Sequence, residues 1–488
     1  MLRILLLTCL SFQILAQTAP KPYGVLPSER QLRWHETEMY CLIHFTPTTF
    51  EDKEWGYGDA EPSKFNPVQF NAEQIVKAAK AGGLRGLILV AKHHDGFCLW
   101  PTKTTDYNIS KSPFRNGKGD MVREFEQACR KNGMKFGVYC SPWDRNNKHY
   151  GTAEYPKIYR QQLTELYTNY GPLFMSWHDG ANGGDGYYGG AKEARKIDRL
   201  TYYGWDSTWT NLTRRLQPTA SIFSDVGWDV RWVGNEKGFA AETSWATFTP
   251  LSPDRKTKGS PGYANDQDSP EGTRNGTSWI PAECDVPLRP GWFYHPAQDG
   301  KVKNPETLID LYFKSVGRGA CLDLGLAPDT RGLLHENDVA VLKQFGETVN
   351  KTFATNLAKT ATLKASNIRG KNSKTFGTQR LTDADRYSYW ATDDGITTPD
   401  VVLSWATPQT FDVVRLRENI KLGQRIEGFA LDAWQDGNWQ EIHKGTSIGS
   451  LRLIRLNQAV TTAQLRLRIT QSPVCVALSE VGVYRINN

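Results

Sequence analysis

The sequence predicts an irregular (β/α)8-like barrel followed by an all-β sandwich, and three observations support this prediction. Between about residues 30 and 345, short apolar runs alternate with segments of helical periodicity. These runs are almost continuously apolar, which is typical of parallel strands covered by helices. After about residue 356, short runs with a period of two and regular turn signals replace the helical pattern, which indicates a sandwich.

The elements of the first part follow one another as a barrel requires. Strands are predicted at 40–45, 86–91, 135–140, 173–177, 221–223 and 321–326, and helices at 70–81, 121–129, 159–167 and 334–354, with Asn71 as a helix cap. Over about 300 residues, closure into an eight-stranded barrel is the simplest arrangement. Long rim loops are expected at 183–190 and 250–276. We assign residues 17–354 to the barrel.

The second part, residues 355–488, is assigned to the β-sandwich. Its strands are predicted at 361–365, 401–405, 412–416, 428–434, 451–456, 464–469 and 476–484.

The N-terminus resembles a secretory signal peptide over residues 1–16. Arg3 supplies one positive charge, a short apolar run follows, and a small residue precedes Gln17. This predicts a secreted or periplasmic protein. Anchoring as a lipoprotein through Cys9 is the less favoured alternative, because Thr8 is a poor preceding residue. No later run approaches about 18 apolar residues, so membrane insertion is not expected.

Composition excludes several classes of function. The net charge is +7, but no run of five basic residues occurs, so nucleic acid is not an expected partner. Seven cysteines remain after the predicted signal, an odd number without a CxxC pair, which argues against a disulfide framework and a cysteine-ligated zinc site. No P-loop motif is present, so nucleotide binding has no support.

Polar clusters follow directly after several predicted strands. They are His44, the run 92–95, the run 141–144 and the run 178–180. In a parallel barrel these positions form the C-terminal rim, where active sites are built. This convergence predicts a functional site at the rim.

Two carboxylates are the best candidates for acid–base or nucleophilic chemistry. Asp179 closes a buried strand and is followed by Gly180, so it is expected to face the pocket. Glu236 follows 57 residues later, from another rim position, and glycoside hydrolysis needs such a second carboxylate. Other acids compete with Glu236 for this role: Asp225, Glu242, Glu283 and Asp285.

Histidines and tryptophans accompany these acids. His44, His93 and His94 are three of nine histidines and lie at predicted strand ends. Adjacent residues of a strand point to opposite sides, so His93 and His94 are not expected to bind one zinc ion. Hydrogen bonding to a polyol is the preferred interpretation, while core histidines or metal ligands remain alternatives. Trp55 and Trp292 offer flat apolar faces that suit sugar rings, or they belong to the core.

Together these motifs resemble the α-L-fucosidases of glycoside hydrolase family 29. The matching stretches run in family order through most of residues 30–330: Ile43-His44-Phe45, Glu54-Trp55-Gly56, Phe65-Asn66-Pro67, Ala91 to Phe97, Gly137 to Ser141 and Trp177-His178-Asp179-Gly180. The stretches Arg231 to Glu236 and Ile280 to Asp285, with Trp292, look like the branch that cleaves α-1,3 and α-1,4 fucosyl linkages.

The resemblance implies a retaining mechanism without a metal ion in the active site or any cofactor, acting on fucosylated oligosaccharides or glycoconjugates. It implies that Asp179 is the nucleophile and Glu236 the acid/base. It also implies a pocket for fucose lined by His44, Glu54, Trp55, His93, His94, Tyr139, Trp177 and Trp292. The C-terminal part is similar to carbohydrate-binding or discoidin-like sandwiches, in which the stretch 381–385 either holds a structural Ca2+ or forms an ordinary acidic turn.

Two further classes of function stay open from the residues alone. One is a non-catalytic carbohydrate-binding protein on a barrel scaffold. The other is a metal-dependent hydrolase that uses His44, His93 and His94. A related sugar such as L-galactose is an alternative substrate within the same chemistry.

Overall fold

A closed parallel barrel forms the first part of the molecule. The computed structural model describes residues 18–198, 201, 204–225, 227–259 and 264–486. The barrel strands are β1 Met39–Ile43, β2 Gly86–Lys92, β3 Lys135–Cys140, β4 Met175–Trp177, β5 Ser221–Ser224, β6 Val230–Trp232, β7 Ala282–Pro287 and β8 Cys321–Leu326. Each pairs in parallel with the next, and β8 pairs with β1, which confirms the predicted barrel.

The strands are apolar almost throughout because both of their faces are buried. Tyr40 and Ile88 point into the barrel and pack in one cluster. Their neighbours Cys41 and Leu87 point outward and pack in the cluster that includes the helices. This alternation leaves no polar face on a strand, which is why a continuous apolar run is the correct signal here.

The outer helices confirm the predicted segments with small shifts at their ends. Among the described residues of the first part, the α-helices are Glu29–Thr37, Pro47–Phe50, Ala72–Ala81, Met121–Lys131, Tyr155–Asn169, Pro305–Lys314 and Glu336–Phe353, and Gly204–Arg214 is π-helical. Asn71 caps its helix as predicted, since its side chain accepts a hydrogen bond from the backbone N–H of Gln74 at 3.1 Å.

Two barrel strands and one hairpin are absent from the sequence prediction. Strand β6 has only three residues, and β7 carries Glu283 and Asp285 among its apolar residues, so neither shows a continuous apolar run. The stretch predicted as the loop 183–190 instead begins a hairpin of Gly183–Gly186 and Glu193–Lys196. Its glycine-rich first strand has no hydrophobic pattern from which a strand could be recognised.

The second part is antiparallel, and the predicted sandwich class is confirmed. Its strands are Thr362–Ala365, Trp390–Ala391, Asp400–Glu418, Gly428–Gln435, Asn438–Gly445, Arg452–Gln471 and Ala477–Tyr484. Two pairs of predicted strands prove to be single long strands, 400–418 and 452–471, interrupted by register shifts. Four of the eight residues of Asn438–Gly445 are exposed and only the last is buried, so this strand lacks a recognisable hydrophobic pattern.

An ionic cluster joins the barrel to the sandwich. Glu38, at the entrance to β1, accepts hydrogen bonds from Arg386 at 3.0 Å and Arg417 at 2.9 Å and lies 3.3 Å from Arg85. Burial alone would raise the pKa of this carboxyl, but the three guanidinium groups lower it to about 2.

Two sequence expectations concern the membrane and the cysteines. In the part of the chain that the structure describes, no helix combines the length and the apolar character needed to cross a bilayer. The seven cysteines after the predicted signal are all described, all buried and all free thiols. The signal peptide predicted over residues 1–16 lies outside the described residues.

Candidate active site

The predicted site residues come together at the C-terminal mouth of the barrel. His44 follows β1, His93 and His94 follow β2, and Tyr139 lies near the end of β3. Trp177 ends β4 and Asp179 follows two residues later, while Glu236 and Trp292 lie in the segments after β6 and β7. Because all these strands are parallel, their ends meet at one mouth.

Three histidines form a compact buried cluster at this mouth. The rings of His93 and His94 lie 4.1 Å apart, and that of His44 lies 5.3 Å from His93. The expectation that His93 and His94 point to opposite sides is wrong, because β2 ends at Lys92 and both residues belong to the following turn. Period-two alternation does not apply beyond the end of a strand.

These imidazoles are uncharged at neutral pH. Burial, together with His94, lowers the pKa of His44 to about 3, and burial lowers the pKa of His93 well below its ordinary value. The pKa of His94 is lowered mainly by burial, although Asp179 opposes this shift. A neutral imidazole offers one donor and one acceptor, which matches hydroxyl groups better than ions.

Asp179 has both carboxylate oxygens oriented by hydrogen bonds. Oδ2 accepts from the Tyr139 hydroxyl at 3.2 Å, and Oδ1 accepts from the backbone N–H of Ala181 at 2.6 Å. His94 Nε2 lies 3.9 Å from Oδ2. Tyr139 packs in turn against Trp177, with ring centroids 5.0 Å apart. The carboxylate is therefore fixed beside the histidine cluster.

Trp292 connects Glu236 to the same cluster. Its indole Nε1 donates to Glu236 Oε2 at 3.2 Å, and its ring lies 5.3 Å from that of His44. Gly325 of β8 lies beneath the indole, where a Cβ atom would come within 2.6 Å of the ring. Glycine at 325 therefore makes room for Trp292. The side chain of Glu236 is exposed at the mouth.

Glu54 and Trp55 lie on the loop opposite Trp292. The Glu54 carboxylate accepts from the backbone N–H groups of Trp292 at 2.5 Å and Phe293 at 3.4 Å. Trp55 is 52% exposed and meets His94 edge to face at 5.5 Å. All ten predicted site residues thus join through direct contacts into one cluster.

A second carboxyl cluster, missed as such by the sequence analysis, lies inside the barrel below this site. Glu283 accepts from Trp177 Nε1 at 2.7 Å and from the Tyr40 hydroxyl, and the buried Asp323 of β8 interacts with it electrostatically. Burial raises the pKa of Glu283 to about 7, while burial and Glu283 raise that of Asp323 well above its ordinary value. Like charges at two neighbouring buried acids disfavour the ionisation of both.

The acids that compete with Glu236 have other surroundings. Asp285 is buried, and its Oδ1 accepts from Trp232 Nε1 at 2.8 Å. Glu242 is bound by Arg318 at 2.7 Å and by Arg452 of the sandwich at 3.0 Å. Glu283 lies in the interior cluster described above, and Asp225 lies against Gly180. The contact through Trp292 distinguishes Glu236 from these acids.

The fold and this site define a class of protein. Neutral imidazoles, indole faces and carboxylates at the mouth of a parallel barrel suit a sugar, whose hydroxyls need donors and acceptors and whose ring presents an apolar face. The class is a glycoside hydrolase.

Comparison with known proteins identifies the family. The family model for α-L-fucosidase matches residues 22–352. "Alpha-L-fucosidase 1" of Arabidopsis thaliana is 40% identical over 468 residues, covering 95% of this chain and 88% of the relative, and an Oryza sativa protein described in similar words is also 40% identical, covering 96% and 87%. The chain therefore belongs to the α-L-fucosidase family, glycoside hydrolase family 29.

Solved structures agree with this assignment. A glycoside hydrolase 29 family member from an unknown rumen bacterium superimposes with a TM-score of 0.83 at 38% identity, covering 96% of this chain and 78% of that one. A Ruminococcus gnavus GH29 fucosidase in complex with fucose has a TM-score of 0.83 at 30% identity, covering 97% and 98%. The predicted order of barrel and sandwich is confirmed by these matches over nearly the whole chain.

Proposed function

We propose that this α-L-fucosidase is an exo-acting, retaining enzyme that removes terminal α-1,3- or α-1,4-linked L-fucose from glycans. One observation carries the proposal most directly. Asp179 is held by Tyr139 and by a backbone N–H beside three neutral histidines, while Trp292 links a second carboxylate, Glu236, to the same cluster. Double displacement requires two carboxyl groups that flank the scissile bond, one as nucleophile and one as acid/base, and Asp179 and Glu236 are proposed as this pair.

In the proposed reaction, Asp179 attacks the anomeric carbon and Glu236 protonates the departing glycosidic oxygen. The bond to the leaving group breaks as the bond to Asp179 Oδ forms. Glu236, now a carboxylate, then removes a proton from water, which attacks the same carbon and releases fucose and Asp179. Two inversions leave the configuration of the sugar unchanged.

The remaining site residues are proposed to bind the sugar. His44, His93, His94 and Tyr139 offer hydroxyl-matching groups, and Glu54 adds a carboxylate. Trp55 and Trp177 line the pocket, and Trp292 contacts the apolar side of the sugar ring. The proposal uses no metal ion, and no group of three His, Cys, Asp or Glu among the described residues is arranged to hold one. The family match favours the enzyme over a non-catalytic binding protein.

Linkage preference rests on resemblance. The stretches 231–236 and 280–285, with Trp292, look like the α-1,3/1,4 branch of the family. A panel of linkage-defined fucosides that includes an L-galactoside tests this proposal. Preferred release from α-1,2-linked fucosides, or faster release of L-galactose, would contradict it.

Secretion and the nature of the sandwich are also proposals. N-terminal sequencing of the mature protein is expected to begin near Gln17 if residues 1–16 are a signal peptide. In the stretch 381–385, Asp383 accepts from Ser388 at 2.7 Å and Asp385 from the backbone N–H of Tyr387 at 2.9 Å. These bonds to residues just after the stretch occupy the carboxylates of Asp383 and Asp385 and support the acidic turn rather than a Ca2+ site.

The proposed roles are tested by two substitutions and two leaving groups. Asp179→Ala should abolish turnover of all fucosides, because no covalent intermediate forms. Glu236→Ala should lower kcat/KM on natural glycans by about 100-fold or more, yet spare an aryl fucoside with an activated leaving group, which needs little protonation. Glu242→Ala is the matched control at a competing acid. Equal losses on both substrates would contradict the assignment of Glu236.

A further inference from the structure

An ion-pair clamp holds the segment that carries Trp292. His295 lies between two carboxylates of the opposite loop: its Nδ1 is 2.7 Å from Asp52 Oδ1 and its Nε2 is 3.0 Å from Glu54 Oε2. Nothing in the sequence motifs singles out His295 or Asp52, which are 243 residues apart. We call these three side chains the His295 clamp.

The geometry of the clamp requires a charged imidazole. A carboxylate only accepts hydrogen bonds, so both ring nitrogens must donate, and only the imidazolium form carries two N–H groups. A neutral imidazole would turn one nitrogen lone pair toward an ionised carboxylate. Partial burial opposes the charge, but the bonds to Glu54 and Asp52 raise the pKa of His295 above its ordinary value.

The other charged groups near His295 pair with residues outside the clamp, which leaves Asp52 and Glu54 as its partners. Asp52 and Glu54 are the titratable groups that face His295 from the opposite loop. Lys53, between them in sequence, turns to Glu51 at 3.0 Å. On the His295 side, Asp299 is bound by Arg289 at 2.8 Å.

The clamp is built at a local conformational cost. Asp52 has a φ of +53°, in the left-handed region that non-glycine residues seldom adopt. Aspartate tolerates this region better than most residues, but the conformation still costs free energy that other contacts must offset. Asp52, the residue in this unfavourable conformation, is also the one whose carboxylate bonds His295 Nδ1. The bond to His295 is one of the contacts that can offset the cost.

The clamp fixes the position of Trp292, which contacts both the proposed sugar pocket and Glu236. Glu54 bonds both His295 and the backbone of Trp292, so the clamp restrains the segment 291–295 at both ends. Trp292 in turn contacts His44 and donates to Glu236. A shift of this segment would move the indole away from both groups.

We propose that His295 is a positioning residue for the reaction: as an imidazolium between Asp52 and Glu54 it holds Trp292 against Glu236, and loss of its proton slows fucoside cleavage at alkaline pH. This rests on the proposed roles of Glu236 as the acid/base and of Trp292 in the sugar pocket. The alkaline limb of the pH–rate profile then belongs in part to a group that never touches the substrate. Misplacement of a catalytic group by about 1 Å can cost about 100-fold in rate.

The test is the pH dependence of kcat/KM on an aryl fucoside with an activated leaving group. Protonation by Glu236 matters least on this substrate, so the losses expected there come from displacement of Trp292 from the sugar pocket beside His44. Wild type should lose activity above an apparent pKa higher than about 6.5. His295→Gln should lower kcat/KM about tenfold or more and remove this limb. His295→Lys keeps the charge and should restore activity, with the limb moved by more than about two pH units, since lysine titrates near 10.4.

Controls separate this role from simple destabilisation. Asp52→Asn alters only one exposed carboxylate and should move the alkaline limb to lower pH, and the His295 resonance in a 13C-histidine NMR titration should move with it. His335→Asn is the matched control, because His335 also lies near two carboxylates, Asp299 at 3.5 Å and Glu336 at 3.6 Å, but outside the clamp. It should leave the profile unchanged.

Two outcomes would overturn the proposal. One is an unchanged alkaline limb in both His295→Gln and Asp52→Asn. The other is a His295 resonance that titrates at or below the value of a free histidine. Failure of the Glu236 assignment is distinguishable: Glu236→Ala would then behave like wild type toward both leaving groups, whereas the NMR titration of His295 would be unaffected.

Discussion

Substitution of Glu283 is the perturbation whose effect the structure specifies most closely. Glu283 is fully buried and accepts hydrogen bonds from Tyr40 and Trp177. In Glu283→Ala both donors lose their partner, and each buried unsatisfied group costs about 1–3 kcal/mol. The free energy of unfolding should therefore fall by about 2–6 kcal/mol, and kcat/KM should fall with it because Trp177 loses its anchor beside Tyr139 and Asp179.

Glu283→Gln separates the charge from the hydrogen bonds. In wild type the folded pKa of Glu283 is about 7, above the unfolded value of about 4.5. Below pH 4.5 the group is protonated in both states and costs nothing. As the pH rises from 4.5 to about 7, the unfolded chain releases a proton that the folded chain retains. The free energy of unfolding therefore falls by about 1.4 kcal/mol per pH unit over this range.

The expected difference is about 3 kcal/mol, from 2.5 pKa units. Glutamine is always neutral, so Glu283→Gln should gain about this much stability relative to wild type between pH 4 and pH 7.5. Urea unfolding across this pH range measures the difference. Glu347→Gln, an exposed control, should show a constant offset. A constant offset for Glu283→Gln as well would refute a raised pKa of Glu283.

Two further predictions concern the domain interface and metal ions. The pKa of Glu38 is lowered to about 2, so its contribution to stability is present above pH 4.5 and is lost as the pH falls toward 2. Glu38→Gln should therefore lower the midpoint of thermal unfolding at pH 7. Calorimetry at several pH values should show that the difference from wild type becomes smaller in acid. Chelation with EDTA should change neither kcat/KM nor the midpoint of thermal unfolding. A loss of activity would favour a metal-dependent hydrolase. A lower midpoint of thermal unfolding with full activity would favour a structural Ca2+ near Asp383.

Strands could be predicted from the sequence where every position is buried, because such strands are apolar throughout. Strand β2 is buried at every position, so its apolar run was recognisable, and the histidines after it could be placed at the mouth. Strand β7 escaped prediction because Glu283 and Asp285 point into the barrel, where a burial pattern predicts apolar residues. A buried acid is stable there only through donors from other strands, such as Tyr40 and Trp177, which no local pattern reveals.

The candidate site was predictable in its membership but not in all its contacts. Asp179 could be found because it closes a strand, and its position follows from the barrel. The His295 clamp could not be found, because it joins two loops that are far apart in sequence. Resemblance to a family indicates which residues are shared, whereas the bonds that Glu54 makes to Trp292 and His295 follow only from the structure.

Mass spectrometry after reaction with a 2-fluorinated fucosyl reagent shows directly whether Asp179 is the nucleophile. Fluorine at C2 slows both displacements, and a good leaving group restores the rate of the first, so the glycosyl-enzyme accumulates. We expect one fucosyl adduct, located on Asp179 in the peptide that contains Trp177 and Gly180. Labelling of another side chain, or release of product with inverted configuration and no adduct, would contradict it.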